Sequence, residues 1–382
     1  MKEYITIKNF GPLKNINHLE IRPLTVLIGE SAIGKSTLMK LVAMMRYLFK
    51  MTNIRSYLNH SNITRSPFKI RFDKMINSMG LAPMLEAESY LLYEVEMESG
   101  NHYDLMVEDK KLKKLPLIEK EDLSFTKVSF ISENRNVIPS WVEKASLNSG
   151  ATLGFYFHET NEDFATASED DKVMDLKYMN MRLYVSHPKG KPVRYRITPM
   201  DTNGNKAFEL REASSGIQTS VPLAMIVNHF AHNFSFKDAF NRSVLNYLHD
   251  INRLTKFKPI ADVSALYKKV YIHIEEPELS LFPDAQCKLI DELLYTATHP
   301  ANDRDMSIMM ATHSPYILNY LNIILNQNKE GRAHIEPNNM SVYRLYDGQS
   351  QNLLMQDENG KFIVDTYDLT EMMARIYQEF ND

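Results

Sequence analysis

The sequence has little to offer through sulfur: one of its 382 residues is cysteine, Cys287. A lone thiol excludes an intramolecular disulfide and a cysteine zinc cluster. It also fits a reducing compartment. Long apolar runs are missing too, and none approaches the ~20 residues that a membrane helix needs. The opening Met1-Lys2-Glu3-Tyr4-Ile5-Thr6-Ile7 alternates as a strand does and lacks the apolar core of a signal peptide. A soluble, cytoplasmic chain with no membrane partner is therefore expected. There is no internal repeat, no low-complexity linker and no heptad run long enough for a coiled-coil arm. Positive charge is not in excess, since 44 Lys and Arg face 48 Asp and Glu for a net charge of −4. That balance gives no global basic field for nucleic acid, although it leaves room for a local basic face. What is present suits a globular chain of one large domain or two: 44% hydrophobic and 24% charged residues support a core and argue against disorder. The 22 methionines fall mostly in apolar patterns and read as core filler.

The strongest signal is Gly29-Glu30-Ser31-Ala32-Ile33-Gly34-Lys35-Ser36-Thr37, which fits the phosphate-binding pattern G-x-x-x-x-G-K-[ST]. An apolar, β-branched run, Leu24 to Ile28, precedes it as a buried strand. Leu38 to Met45 follows it as a helix. That order is what the chemistry needs. Glycines let backbone N–H groups surround phosphates, and the helix amino terminus adds partial positive charge. Lys35 would reach the β- and γ-phosphates, and the Ser36 hydroxyl would bind Mg²⁺.

A second buried-type strand, Val270 to Ile274, runs into Glu275-Glu276-Pro277-Glu278. Buried paired carboxylates have few structural explanations, because an unpartnered buried charge is costly. Glu275, at the strand end, is expected to hold Mg²⁺ directly or through water. Glu276 is placed to polarise the attacking water. A third strand, Ser307 to Met310, leads to Ala311-Thr312-His313-Ser314-Pro315, whose histidine could hydrogen-bond the γ-phosphate. Glu212 to Gln218 contains Ser214-Ser215-Gly216 at a helix start, which by itself is an ordinary cap. In its company it becomes a candidate anion site.

Elsewhere, Tyr4–Phe10 and Ile16–Ile21 read as strands, and 51–90 reads as mainly helical with breaks near Ser66-Pro67 and Gly80–Pro83. Tyr90–Met97 and His102–Val107 read as a hairpin. Residues 151–195 read as polar and irregular. Strands near 193–199 and 206–211, joined by a turn at 201–205, are expected to pair. Asp284–Ala297 reads as an amphipathic helix, and the tail as a hairpin around Asp347-Gly348 with a last helix from about Thr370. Lys110 to Lys114 could touch phosphates, but reads better as a solvated hairpin end. His229 and His232 lack an acidic third ligand for zinc. Asp365 and Asp368 do not make a convincing metal pair.

Taken together, these motifs resemble the ABC-type ATPase heads of the SMC, RecF and OLD group, especially the AAA-domain ATPases of bacterial anti-phage systems. Ile7 to Leu13 resembles that group's first hairpin, Gly29 to Thr37 its Walker A, and Ser214 to Gln218 the S-S-G-x-Q form of its signature. Ile274 to Pro283 resembles Walker B with the D-loop, and Ala311 to Pro315 the T-H-S-P switch. Ile131 to Arg135 resembles the post-strand E-x-R element, which implies a phosphate or dimer contact for Arg135. Glu275 stands where many relatives carry aspartate, and no clear Q-loop glutamine is found.

The resemblance implies an α/β P-loop NTPase with an ABC/SMC-type head: a mixed β-sheet with central parallel strands flanked by helices, plus an antiparallel β lobe and helical insertions. It implies a single head over 1–382, with helical or β insertions at 51–125 and 151–212. It implies ATP and Mg²⁺ as cofactors, with Gly29, Ile33, Gly34, Lys35, Ser36, Thr37, Ser214, Ser215, Gly216, Gln218 and Arg135 in contact with nucleotide. Ser36 and Glu275 would hold metal, and Glu276 and His313 would be catalytic. Two copies would sandwich ATP head to tail. The function expected is an ATPase component of a bacterial defence or toxin–antitoxin-like complex that controls a separately encoded effector such as a nuclease. The alternative is an SMC/RecF-like DNA-repair or DNA-clamping ATPase, so nucleic acid stays open as a partner.

Overall fold

The computed structural model describes all residues except 64–69, 143–153, 171, 202–205, 246–247, 250–253, 263–264, 368–374, 376–377 and 380–382. Strands β1 (Lys2–Phe10), β2 (Leu13–Ile21) and β3 (Leu24–Ile28) precede helix α1 (Lys35–His60) and the short helix α2 (Phe72–Ser78). Then come β4 (Leu85–Glu96), β5 (His102–Glu108), β6 (Lys111–Leu112) and β7 (Ser124–Ile131). Helix α3 (Phe155–Asp170) leads to β8 (Val173–Leu176), β9 (Met181–Ser186), β10 (Arg194–Pro199) and β11 (Phe208–Glu209). Helix α4 (Ser215–Asn228), β12 (Tyr267–Glu275), α5 (Pro283–Thr298), β13 (Asp305–Thr312) and α6 (Pro315–Asn326) complete the layers around the site. The chain closes with β14 (Met340–Tyr346), β15 (Gln349–Asn352) and the small hairpin β16 (Leu354–Gln356) and β17 (Phe362–Val364).

The central sheet has the order β15-β14-β3-β13-β12-β7. Every neighbouring pair in it is parallel except the edge pair β14–β15. Its inner strands are buried along nearly their whole length, as the five buried residues of Leu24–Ile28 show. Continuous apolar runs are what a parallel sheet covered on both faces selects. Register brings the carboxyl ends level. Ile131 pairs with Ile274, Glu275 with Ala311, and Thr312 with Ile28. The segments that follow β7, β12, β13 and β3 therefore emerge along one edge, where open α/β sheets bind ligands.

An antiparallel lobe of order β2-β1-β4-β5-β6 stands beside this sheet, and a smaller one of order β11-β10-β9-β8 lies further along the chain. A buried polar link ties the first lobe to the centre. Arg46 of α1 donates to the Glu3 carboxylate at 2.9 Å and to His273 Nε2 at 3.1 Å. His273 Nδ1 in turn donates to the Ser129 carbonyl at 3.0 Å. Accepting from a guanidinium and buried throughout, His273 is held neutral, its pKa pushed down to about 3 by burial and then by Arg46.

The expected architecture, an α/β mixed sheet with a parallel centre and an antiparallel lobe, is the one observed. Local expectations fail in two places. Residues 151–195 are not irregular, since α3 occupies Phe155–Asp170. It buries Tyr156, Phe157, Thr160, Asp163, Phe164, Ala167 and Ser168, a helical spacing masked by the polar residues between them. Segment 51–90 is less helical than expected. Helix α1 runs on to His60, but β4 already starts at Leu85. The break at Ser66-Pro67, most of the turn at 201–205, Asp368 and the start of the last helix lie outside the described residues. Among the described residues, no helix is long and apolar enough to cross a membrane.

Candidate nucleotide site

The loop between β3 and α1 is shaped for an anion. Gly34, at the amino end of α1, has φ +108°, and a Cβ there would meet Leu13 Cδ2 at 2.8 Å. Only glycine accepts both the conformation and the closeness. No acidic residue occupies the first turn of α1, so the positive end of the helix dipole is left for a ligand. Lys35 Nζ donates to the carbonyls of Gly29 and Glu30, both at 2.8 Å. The ammonium is thus folded over its own loop, where a phosphate can take the place of the carbonyls. Burial lowers the Lys35 pKa, and Glu276 and Glu278 oppose that shift, which places both acids across from the loop.

Glu275 ends β12 and is almost fully buried. Its Oε1 lies 3.5 Å from Lys40 Nζ, and its Oε2 has no hydrogen-bond partner. Burial first, and the neighbouring Glu133 carboxyl second, push its carboxyl up to about 7. The pairing works the other way on Glu133, whose carboxyl is lowered. A hard divalent cation fits this donor set: an orphaned carboxylate oxygen with the exposed Ser36 hydroxyl near it. Glu276 sits one residue on, with φ +44°, a conformation that strains a non-glycine residue by about 1–3 kcal/mol. Its N–H donates to Ala311 O at 2.9 Å, which holds the turn against β13. His313 Nε2 lies 3.9 Å from Glu276 Oε1, and the His313 N–H donates to Glu278 Oε1 at 2.6 Å. The sheet edge thus gathers Lys35, Glu275, Glu276 and His313.

Ser214 and Ser215 are exposed at the start of α4. Gly216 packs so closely on the turn after Glu276 that an added Cβ would lie 2.7 Å from Ser280 O. Gln218, expected to touch nucleotide, instead donates its amide to the carbonyls of Arg211 and Ala213 at 2.9 and 2.8 Å, and so braces its own loop.

Arg135 requires a larger correction. The expected phosphate or dimer contact is replaced by an internal one, because its side chain is fully buried. Its guanidinium donates to Thr219 O at 3.0 Å, Ser132 O at 3.1 Å, Glu275 O at 2.6 Å and Glu276 O at 2.6 Å. Burial lowers its pKa to about 10, so it stays charged at neutral pH. It joins α4, the segment after β7 and the carboxylate turn.

Sequence reading missed Glu133, Lys40 and Glu278. Lys40 lies four residues after Ser36, on the same helix face, and Glu133 follows a strand parallel to β12. Both signals were available once the strands were ordered.

No family model matches the chain, and no curated protein does. Among solved structures, an SMC head bound to the C-winged helix domain of ScpA is similar at 8% identity and TM-score 0.39, covering 94% of this chain and 98% of that one. The SMC head domain from Thermotoga maritima is similar at 12% identity and TM-score 0.38, covering 93% and 99%. The recombination mediator RecF of the RecFOR pathway follows at 12% identity and TM-score 0.33, covering 92% and 98%. At such scores these likenesses decide nothing about chemistry, which rests on the site itself.

The loop assignment has a direct consequence. Lys35→Ala is expected to weaken binding of a non-hydrolysable ATP analogue by about 10- to 100-fold, the worth of a charge-assisted hydrogen bond of about 1.5–3 kcal/mol. Calorimetric titration measures this, and unchanged affinity would remove Lys35 from the phosphate site.

Proposed function

We propose that the chain binds and hydrolyses ATP with magnesium. We further propose that two copies close on the nucleotide, and that this cycle controls a separately encoded effector such as a nuclease in a bacterial defence or toxin–antitoxin-like complex. The observation that carries the ATPase reading is the single sheet edge holding Lys35, Glu275, Glu276 and His313. When bound, the metal would supply charge neutralisation for the triphosphate, held by Ser36 and Glu275. Lys35 and the N–H groups of Gly34, Ser36 and Thr37 hold phosphate oxygens. The Glu276 carboxylate accepts a hydrogen bond from the attacking water and orients it. His313, near both Glu276 and the loop, donates to the γ-phosphate and senses its departure. Glu278 fixes the His313 backbone, and Arg135 fixes the turn that aims Glu276.

Two exposed features support the two-copy reading. Ser214 and Ser215 present a helix start to solvent, and Phe282, next to the Ser280 turn, is 79% exposed. An unsatisfied helix amino end beside an exposed aromatic suits capture of the phosphate held by a second copy. The test is Ser215→Arg. It should leave monomer affinity for ATP unchanged within about threefold and abolish the ATP-dependent doubling of mass seen by light scattering. Persistent ATP-driven doubling in that variant would refute a shared site. Pull-down from the native host with and without ATP tests the effector. A partner that is held equally in both states counts against control by the cycle.

A further inference from the structure

The Lys110–Lys114 run, which reads in isolation as a solvated hairpin end, does not stand alone in the fold. A groove of about 680 Å³ brings Lys110, Lys111, Lys113 and Lys114 together with Arg55 of α1 and Arg71 just before α2. Three separate parts of the chain therefore deliver six cations to one surface. Among the described residues, the acids near it are few. Asp73 lines the groove, and Glu108 and Asp109 are both taken by Lys113, at 3.1 and 3.2 Å. Asp104 lies in the adjoining depression, which it shares with Arg55 and Lys114. No ion pair to a described residue engages Arg55, Arg71, Lys110, Lys111 or Lys114. In a chain of net charge −4, such a concentration of unneutralised cations is not explained by average composition, and their mutual repulsion is a cost that a polyanion would relieve.

We infer that this groove binds the phosphate backbone of a nucleic acid. The arrangement suits phosphates better than bases. Long flexible cations line an open groove whose apolar walls, Ile70, Phe72, Leu112 and Leu115, present no polar base-reading side chains. Helix α1 runs from the phosphate loop to the groove. The amino terminus of α1 lies under the phosphate loop, and Arg55 lies 20 residues further on, about 30 Å away at 1.5 Å per residue. The groove is thus remote from the nucleotide and does not depend on the ATPase assignment.

The experiment is fluorescence anisotropy with the full chain and labelled 30-mers of duplex DNA, single-stranded DNA and RNA, titrated with salt from about 50 to 200 mM. Binding of at least one of the three is expected, weakening as salt rises. The variant K110E/K111E/K114E reverses three exposed charges outside the nucleotide site. Its affinity should fall at least tenfold, and its salt slope should flatten by about two to three, near 0.9 per lost phosphate contact. Its ATP turnover and melting temperature should match those of the parent. R55E serves as a second variant, on another element, and should weaken binding in the same direction. Absence of binding to all three nucleic acids at 50 mM salt overturns the inference. So does binding that both variants leave unchanged, or equal binding of polyglutamate of matched charge, which would mark an indiscriminate polyanion surface. The arm that binds most tightly identifies the kind of nucleic acid.

Discussion

Replacing Glu276 with glutamine is expected to lower ATP turnover by about 10²- to 10⁴-fold, the usual worth of a general base in place. Nucleotide affinity should remain near that of the parent. The substitution keeps size and hydrogen-bonding reach and removes only the negative charge. The backbone at φ +44° is set by the turn, not by the carboxylate, because it is the Glu276 main chain that bonds Ala311 O and Arg135. Shape is therefore preserved while basicity is lost. If two copies close on ATP, the variant should accumulate the closed form, because the event that releases it no longer occurs. Single-turnover hydrolysis and light scattering at saturating ATP read the two effects separately. Turnover near the parent value would move the catalytic role to another carboxylate, with Glu278 the nearest alternative, since both acids act on Lys35. Full loss of hydrolysis without a lasting dimer would keep the base and discard the sandwich.

The parts of the site legible in the sequence are those whose chemistry needs contiguous residues. A phosphate cradle must be built from successive N–H groups, so a candidate for one, Gly29 to Thr37, stands out in nine letters. The same holds for a strand that ends in carboxylates, as Val270 to Glu276 does. What was not legible depends on contacts between distant segments. Arg135 bonds the carbonyl of Glu275, 140 residues away, and no local pattern distinguishes such a clamp from a phosphate ligand. Glu133 gains meaning only from the parallel pairing of β7 with β12. The basic groove escaped for the same reason, since Arg55 and Arg71 are unremarkable until the hairpin of β5 and β6 is placed beside them. Helix α3 was missed on different grounds: its buried face mixes Thr160, Asp163 and Ser168 with aromatics. The polar members are there for hydrogen bonds, with Asp163 accepting from Lys127 at 2.7 Å and from Ser129 at 2.5 Å, and they dilute the apolar periodicity.

Arg135→Met should be the most destabilising substitution near the site. Four carbonyls, those of Ser132, Thr219, Glu275 and Glu276, would lose their guanidinium donors, the first three of them in fully buried bonds. A buried polar group left without a partner costs about 1–3 kcal/mol. Partial relaxation reduces the sum, and a loss of at least about 3 kcal/mol is expected. Urea denaturation at constant m-value measures it. Arg135→Lys separates stability from positioning. A lysine retains the positive charge but lacks the planar fork that reaches the turn and α4 together. That variant should recover much of the stability and still turn over ATP more slowly than the parent. Its nucleotide affinity should be unchanged, because Arg135 touches the backbone behind Glu276 and not the phosphate loop. A lysine variant with parental kcat and lowered affinity would reverse the reading and return Arg135 to the nucleotide. A methionine variant as stable as the parent would mean that those carbonyls find other donors, and the clamp would be no clamp.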